Sequence, residues 1–387
     1  MTLSDLLQER IDIIDDAVRM KKPKRVPFIT VDAFWRYYDT GHKLSEALLN
    51  TKIMHDATIE FQKRYQHDGW LDIGARNPLQ VTRSLGNYEY NIDDQNNVLM
   101  LKEQCCFKET DYDPFVENPI RTLWENVITR KYTLFNQDMP SEVLCNTFGK
   151  FFELDAAIKT IIQRLATECG VPPLTSVQSG PGIFTAFECL YNFLRGMKGL
   201  AVDLRRCPEK ILAFGQVYHE LFVKGAINSI ENTAVATSSF TALTSLLNQN
   251  LVSAKQFGKF CWPHFKELTD RIVDTNNKLL ILSEGTTVHI TEYLQELPKG
   301  HFCVYVEMDD IFEARKRLPN LCLWGGLPLS LLARGTQQEC IDHTKRVIDE
   351  VGRDGGLILC TDKFSSAPGD CKRSNLLAVA EFIQTYR

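Results

Sequence analysis

Acids and thiols able to bind a metal or move a proton recur beside short apolar runs in the last third of the chain. Glu284 follows "LLILS", Glu307 follows "FCVYV", Cys322 lies in "LCLWGG" and Cys360 closes "GLILC". Glu307, Cys322 and Cys360 make a credible zinc set, because one carboxylate and two thiolates leave a fourth position open for substrate, as in a catalytic site. Three anionic ligands against a divalent ion leave one negative charge, so zinc there would be a moderate Lewis acid. The competing reading keeps the two thiols as small core residues and makes Glu307 a cap for the helix that follows. Glu284 is the acid partner, or the substitute ligand if one of the three fails.

Two further groups compete for attention. "GHFC" supplies His301 and Cys303 at His-x-Cys spacing, but at the beginning of an apolar run, whereas Glu307 stands at its end. In "DAFWRYYDTGH", Arg36 is a cation able to meet a carboxylate or phenolate, and Trp35, Tyr37 and Tyr38 are either an aromatic wall or core. "SGPG" at 179–182 lacks the spacing of a phosphate loop and reads as a turn. His343 falls inside a helix and is expected to pack.

The elements that must carry these residues alternate regularly. Apolar strands at 277–285, 302–307, 321–326 and 356–360 are separated by helical stretches, one of them opened by Thr336 and Glu339 at capping-box spacing. Strands apolar on both faces between helices imply a parallel sheet. Earlier candidates at 25–31, 69–74, 175–180 and 227–235 bring the number to eight. The expected fold is α/β: a single (β/α)8 TIM barrel over residues 1–387, with an N-terminal helical extension and an insertion around 80–150. In such a barrel the chemistry lies at the carboxyl ends of the strands. That rule favours Glu307 and puts His301 and Cys303 on the face that only stabilises.

Composition removes several classes. The 44 basic and 49 acidic residues give a net charge of −5 with no long basic run, so nucleic-acid binding has no electrostatic support. No apolar stretch reaches the ~18–20 residues of a membrane span, and the first twenty residues are acidic and amphipathic rather than signal-like. A cytoplasmic location is expected, with the 12 cysteines reduced, since none forms a CxxC pair.

The segments from "SEGTTVHITEYLQELPKGHFCVYVEMDDIFEARKRL" through "CLWGGLPLSLLARGTQQECIDHTKRVIDEVGRDGGLIL" to "NLLAVAEF", together with "FLRGMKGLAVDLRRCPEKIL" at 193–212, resemble the uroporphyrinogen decarboxylase superfamily. That resemblance implies a (β/α)8 barrel. It also divides the possible activities. "DAFWRYYDTG" is not the arginine-rich motif with which the decarboxylases hold porphyrinogen carboxylates. "LSEG" places Glu284 where several corrinoid methyltransferases carry the cysteine of a fifth-strand His-x-Cys. The branch resembled most is that of aryl methyl ether O-demethylases, which implies zinc on Glu307, Cys322 and Cys360, with Cys371 as the alternative last ligand. It also implies methyl transfer to a corrinoid carried by a partner protein, since the chain has no corrinoid-binding motif of its own. A zinc enzyme methylating a thiol, a metal-free decarboxylase using Glu284 or Glu307 with Arg36, and a binding module remain as alternatives.

Overall fold

The computed structural model describes residues 2–71, 79–103, 105–136, 141–175, 182–230 and 239–387. A hairpin of β1 (Tyr90–Asp93) and β2 (Val98–Leu101) stands apart from a five-stranded parallel sheet. That sheet comprises β3 (Ala242–Leu246), β4 (Leu279–Ser283), β5 (Phe302–Val306), β6 (Cys322–Leu327) and β7 (Leu357–Thr361), side by side in chain order. Every residue of the five is buried. Helices in the connections cover the outer face, which is why these strands are apolar on both sides rather than alternating.

Backbone contacts continue past both edges of the sheet. Beyond β7, Ile29 donates to the carbonyl of Leu359 at 2.9 Å and Leu359 to that of Pro27 at 2.8 Å. Asp68 then donates to Phe28 at 2.9 Å, Trp70 to Pro172 at 3.0 Å, Leu174 to Trp70 at 2.8 Å and Phe240, just before β3, to Leu174 at 2.7 Å. Single parallel bridges join Phe28 to Leu359, Trp70 to Pro173 and Thr175 to Phe240. Hydrogen bonds therefore lead from the last strand back to the first through three short extended segments. Pro27, Pro172 and Pro173 have no N–H to give to these contacts and take part only through their carbonyls.

The inner face of the sheet has a core of its own. Leu280, Leu282, Cys303, Tyr305, Cys322, Trp324, Ile358 and Cys360 cluster with Ile29, Leu71, Leu174 and Phe240, while Val304, Val306, Leu323 and Leu359 pack outward with the helices. This is the period-two alternation of a strand. Ile14, Ala17 and Val18 of the first helix, Leu3–Val18, join the inner cluster from the end where the strands begin. There Arg19 donates to the carbonyls of Gly300 and Asn276, and Lys278 pairs with Asp15.

One expectation needs correction. Of the stretch 227–235, residues 227–229 are helical, within Lys224–Ser229, and residues 231–235 lie outside the described residues. The strand is Ala242–Leu246, whose "ALTSL" is broken by Thr244 and Ser245, both buried, which hides it from a search for purely apolar runs. Thr336 does cap the helix Gln337–Val351, reciprocally with Glu339. Among the described residues, no helix is long and apolar enough to cross a membrane.

A candidate active site at the carboxyl ends of the strands

Glu284 stands one residue past β4 and Glu307 one residue past β5, on neighbouring parallel strands. Parity aims both inward, since Leu280 and Leu282 on one strand and Cys303 and Tyr305 on the other face the enclosed core. The Glu284 N–H donates to the carbonyl of Leu246 at 3.1 Å, which continues the ladder from β3 to the mouth. Burial, with the charge of Glu307 adding to it, pushes the Glu284 carboxyl up to about 7. The carboxylate of Glu307 accepts the N–H of Gly285. Glu307 does not cap the following helix; Asp310 does, receiving the N–H groups of Phe312 at 2.9 Å and Glu313 at 3.0 Å.

A third carboxyl lies behind these two, and the sequence reading missed it. Glu188, on the short helix Ala186–Cys189, is fully buried. Its carboxylate accepts from the Leu247 N–H at 2.8 Å, from the Asn248 N–H at 3.2 Å, from the Asn248 side-chain amide, and from Asn192 at 2.9 Å. Burial drives its pKa up to about 8 even though these donors favour the charged form. The available signal was an acid inside the apolar run "FTAFECLYNFL", a place where a charge is rarely left without partners.

The thiols fall elsewhere. Cys322 opens β6 instead of ending it, directly across from Cys303 at the start of β5. Four residues of strand therefore separate it from the level of Glu307, ~13 Å along the strand direction. Cys360 pairs with Gly326 near the carboxyl end of β7, two strand spacings or ~10 Å from the line of Glu307. Burial pushes its thiol well up. Cys371 lies past β7, buried, with its Sγ donating to the carbonyl of Lys372 at 3.5 Å. Glu307, Cys322 and Cys360 thus do not surround one point, and among the described residues no three His, Cys, Asp or Glu side chains gather as a metal-ligand group. The residues present do not fit the zinc centre expected of them. The error came from taking Cys322 as a strand end when its register makes it a strand beginning.

Arg36 is also corrected. It is fully buried, donating to the Asp32 carboxylate at 2.6 Å, to the Ala33 carbonyl at 2.7 Å and to the Tyr37 hydroxyl at 2.7 Å. It is committed to its own turn, not held out at the mouth. Trp35 and Tyr37 are core, and Tyr38 donates to the carbonyl of Asn97 in the hairpin turn at 2.6 Å. His301 stays with the strand beginnings, its Nδ1 2.9 Å from the Asn277 carbonyl, and His343 packs with its Nε2 2.8 Å from that of Gly326. Of "SGPG", residues 179–181 lie outside the described residues.

Below the acids the inner core is aromatic. The Tyr305 ring lies 5.4 Å from that of Trp324 and 5.6 Å from the half-buried Phe364. The Tyr305 hydroxyl donates to the Thr361 carbonyl at 3.1 Å and burial holds it protonated.

Residues 145–361 match the sequence profile of the family described as uroporphyrinogen decarboxylase (URO-D). No curated protein sequence gives a significant match. Among solved structures, a methyltransferase from Methanosarcina mazei is similar over 99% of this chain and 98% of that one, with a TM-score of 0.61 at 13% sequence identity. At that identity the likeness speaks for the fold.

Proposed function

The chain belongs to the uroporphyrinogen decarboxylase family, and from that premise we propose that it is a methyltransferase built on a (β/α)8 barrel. In this reading the three bridged segments and the five laddered strands make up the eight units. The enzyme takes a methyl group from a methylated small molecule, most suitably an aryl methyl ether, and passes it to the cobalt of a corrinoid carried by a separate protein. The observation that carries the proposal is the pair Glu284 and Glu307 on adjacent strand ends, one poised near neutrality and the other fixed by a backbone N–H. Similarity along the whole chain to a methyltransferase fold and the aromatic floor of Trp324, Tyr305 and Phe364 support the same reading.

The chemical difficulty in demethylating an ether is the leaving phenolate. A carboxyl that is still protonated near pH 7 can deliver its proton to the ether oxygen as the carbon–oxygen bond breaks, so that a neutral phenol departs. Glu284 has that property because it is buried beside a second acid. The methyl group leaves on the opposite side toward the acceptor, and Glu284 is left ionised until solvent reprotonates it. No step is routed through zinc, because the expected ligands do not converge. The decarboxylase alternative needs a cation at the mouth, and Arg36, the residue assigned to it, is buried against Asp32.

Anaerobic incubation with cob(I)alamin and a panel of methoxylated aromatics, followed by the absorbance of methylcobalamin, tests the proposal. Turnover of at least one ether is expected, with Glu284→Gln slower by about 10²–10⁴-fold, the usual contribution of a general acid. Equal rates for the two proteins would remove Glu284 from the chemistry.

A further inference from the structure

The two mouth acids are held by one peptide unit. The carbonyl of Glu284 accepts from Gln249 Nε2 at 2.6 Å and from Asn250 Nδ2 at 2.7 Å. The N–H on the other side of that same peptide, which belongs to Gly285, donates to Glu307. Gly285 has φ +92°, and a Cβ there would lie 2.2 Å from the Asn250 side chain, so glycine is what permits the close approach. Asn250 Oδ1 in turn accepts from Thr286 N–H at 3.3 Å, and the Gln249 carbonyl lies 2.8 Å from His289 Nε2. Gln249 and Asn250 belong to the turn "LNQN" at 247–250, which starts where β3 ends.

That turn is anchored from behind by Glu188. One of its carboxylate oxygens collects the N–H groups of Leu247 and Asn248 and the Asn248 amide, while Asn192 donates to the other. Asn248 is itself fully buried and accepts from Cys261 Sγ at 3.3 Å. Among the described residues no cation pairs with Glu188; its carboxyl is bound by oriented amides, an arrangement that fixes backbone geometry.

We propose that Glu188 is a positioning residue: it holds the Leu247–Asn250 turn so that this turn fixes the Glu284–Gly285 peptide and, through its N–H, the carboxylate of Glu307. The proposal rests on the mouth being the reaction site, but its central link is readable without any substrate. Glu188→Met keeps the length of the side chain and removes both acceptor oxygens, which releases the turn.

Hydrogen exchange resolved to single amides tests this in the full-length protein. In Glu188→Met, exchange at Leu247, Asn248 and Gly285 should accelerate by about 10-fold or more while amides in β6 and β7 stay as in the wild type, the pattern of local and not global opening. Asn250→Ala, at an exposed position, should accelerate Gly285 and leave Leu247 and Asn248 alone. If Glu188→Met does not fold, Asn192→Ala, which removes only the donor to the far oxygen, should show the same pattern more weakly. Unchanged exchange at Gly285 would overturn the proposal, and so would equal acceleration in β6 and β7. In the methyl-transfer assay, Glu188→Met should lower kcat with KM nearly unchanged. A wild-type protein inactive in that assay would remove the proposed function, while the exchange pattern would still decide the role of Glu188.

Discussion

Glu284 and Cys322 show how differently single residues fare. Glu284 is held near pH 7 by burial, so the folded protein keeps a proton that the unfolded chain gives up near its ordinary 4.5. A folded pKa raised in this way contributes stability that is fully present at low pH and lost as pH rises from about 4.5 through 7. Glu284→Gln, which cannot ionise, should therefore be more stable than wild type at pH 8 by a few kcal/mol, at ~1.4 kcal/mol per unit. In urea unfolding at pH 8 and pH 5 the gap should narrow at the lower pH; parallel behaviour would mean that the carboxyl is not perturbed. Cys322 is fully buried opposite Cys303. Cys322→Ala should cost about 1–2 kcal/mol, typical of a core truncation, and leave both methyl transfer and metal content as they were. Loss of stoichiometric zinc on that change would restore the thiol to a ligand role.

At the scale of elements, local chemistry was legible wherever it is carried by neighbours in the chain. Thr336 and Glu339 satisfy each other across three residues, with the Thr336 N–H donating to the Glu339 carboxylate at 2.8 Å and the Glu339 N–H to Thr336 Oγ1 at 3.2 Å. Thr336→Ala should lower stability by about 1 kcal/mol in urea unfolding, with activity intact, since the cap is exposed and Thr336 and Glu339 bond to each other and not to the acids at the strand ends. Strand β3 was not legible, because Thr244 and Ser245 are polar residues that only burial in a parallel sheet reveals as interior. The same holds for the turn after it. "LNQN" reads as an ordinary polar loop, yet it grips Glu188 on one side and the Glu284 carbonyl on the other. Strand limits mattered as much as strand existence: one register assignment moved Cys322 from the working end of β6 to the opposite end.

For the molecule as a whole, the circuit of backbone contacts depends on a buried charge cluster. Asp68 receives both guanidinium nitrogens of Arg25, at 2.5 and 2.6 Å, and the N–H of Phe28 at 2.8 Å. Arg10 of the first helix approaches it at 3.3 Å and also donates to the Cys169 and Gly170 carbonyls at 2.6 and 3.0 Å. The cluster ties the helix Leu3–Val18, the 25–28 and 68–70 segments and the end of the helix Ser141–Cys169 into one unit. Asp68→Asn leaves two buried guanidinium groups facing a neutral amide and should cost about 3–5 kcal/mol, seen as a lower urea midpoint. A loss below about 1 kcal/mol would mean that water reaches the cluster. Three residues at positions 10, 25 and 68 carry no pattern that a linear reading can detect.

Periodicity, capping and composition, which depend on neighbours in the chain, were enough to determine the α/β class, the last four strands and the inward aim of Glu307. Side-chain alternation is a local property of a strand, so parity needs no partner to be read. The tertiary structure alone decided which groups share a site, because convergence depends on register and on long-range burial. Register separated Cys322 from Glu307, the Asp32 pair withdrew Arg36, and packing brought Glu188 in from nearly a hundred residues away to stand behind Glu284.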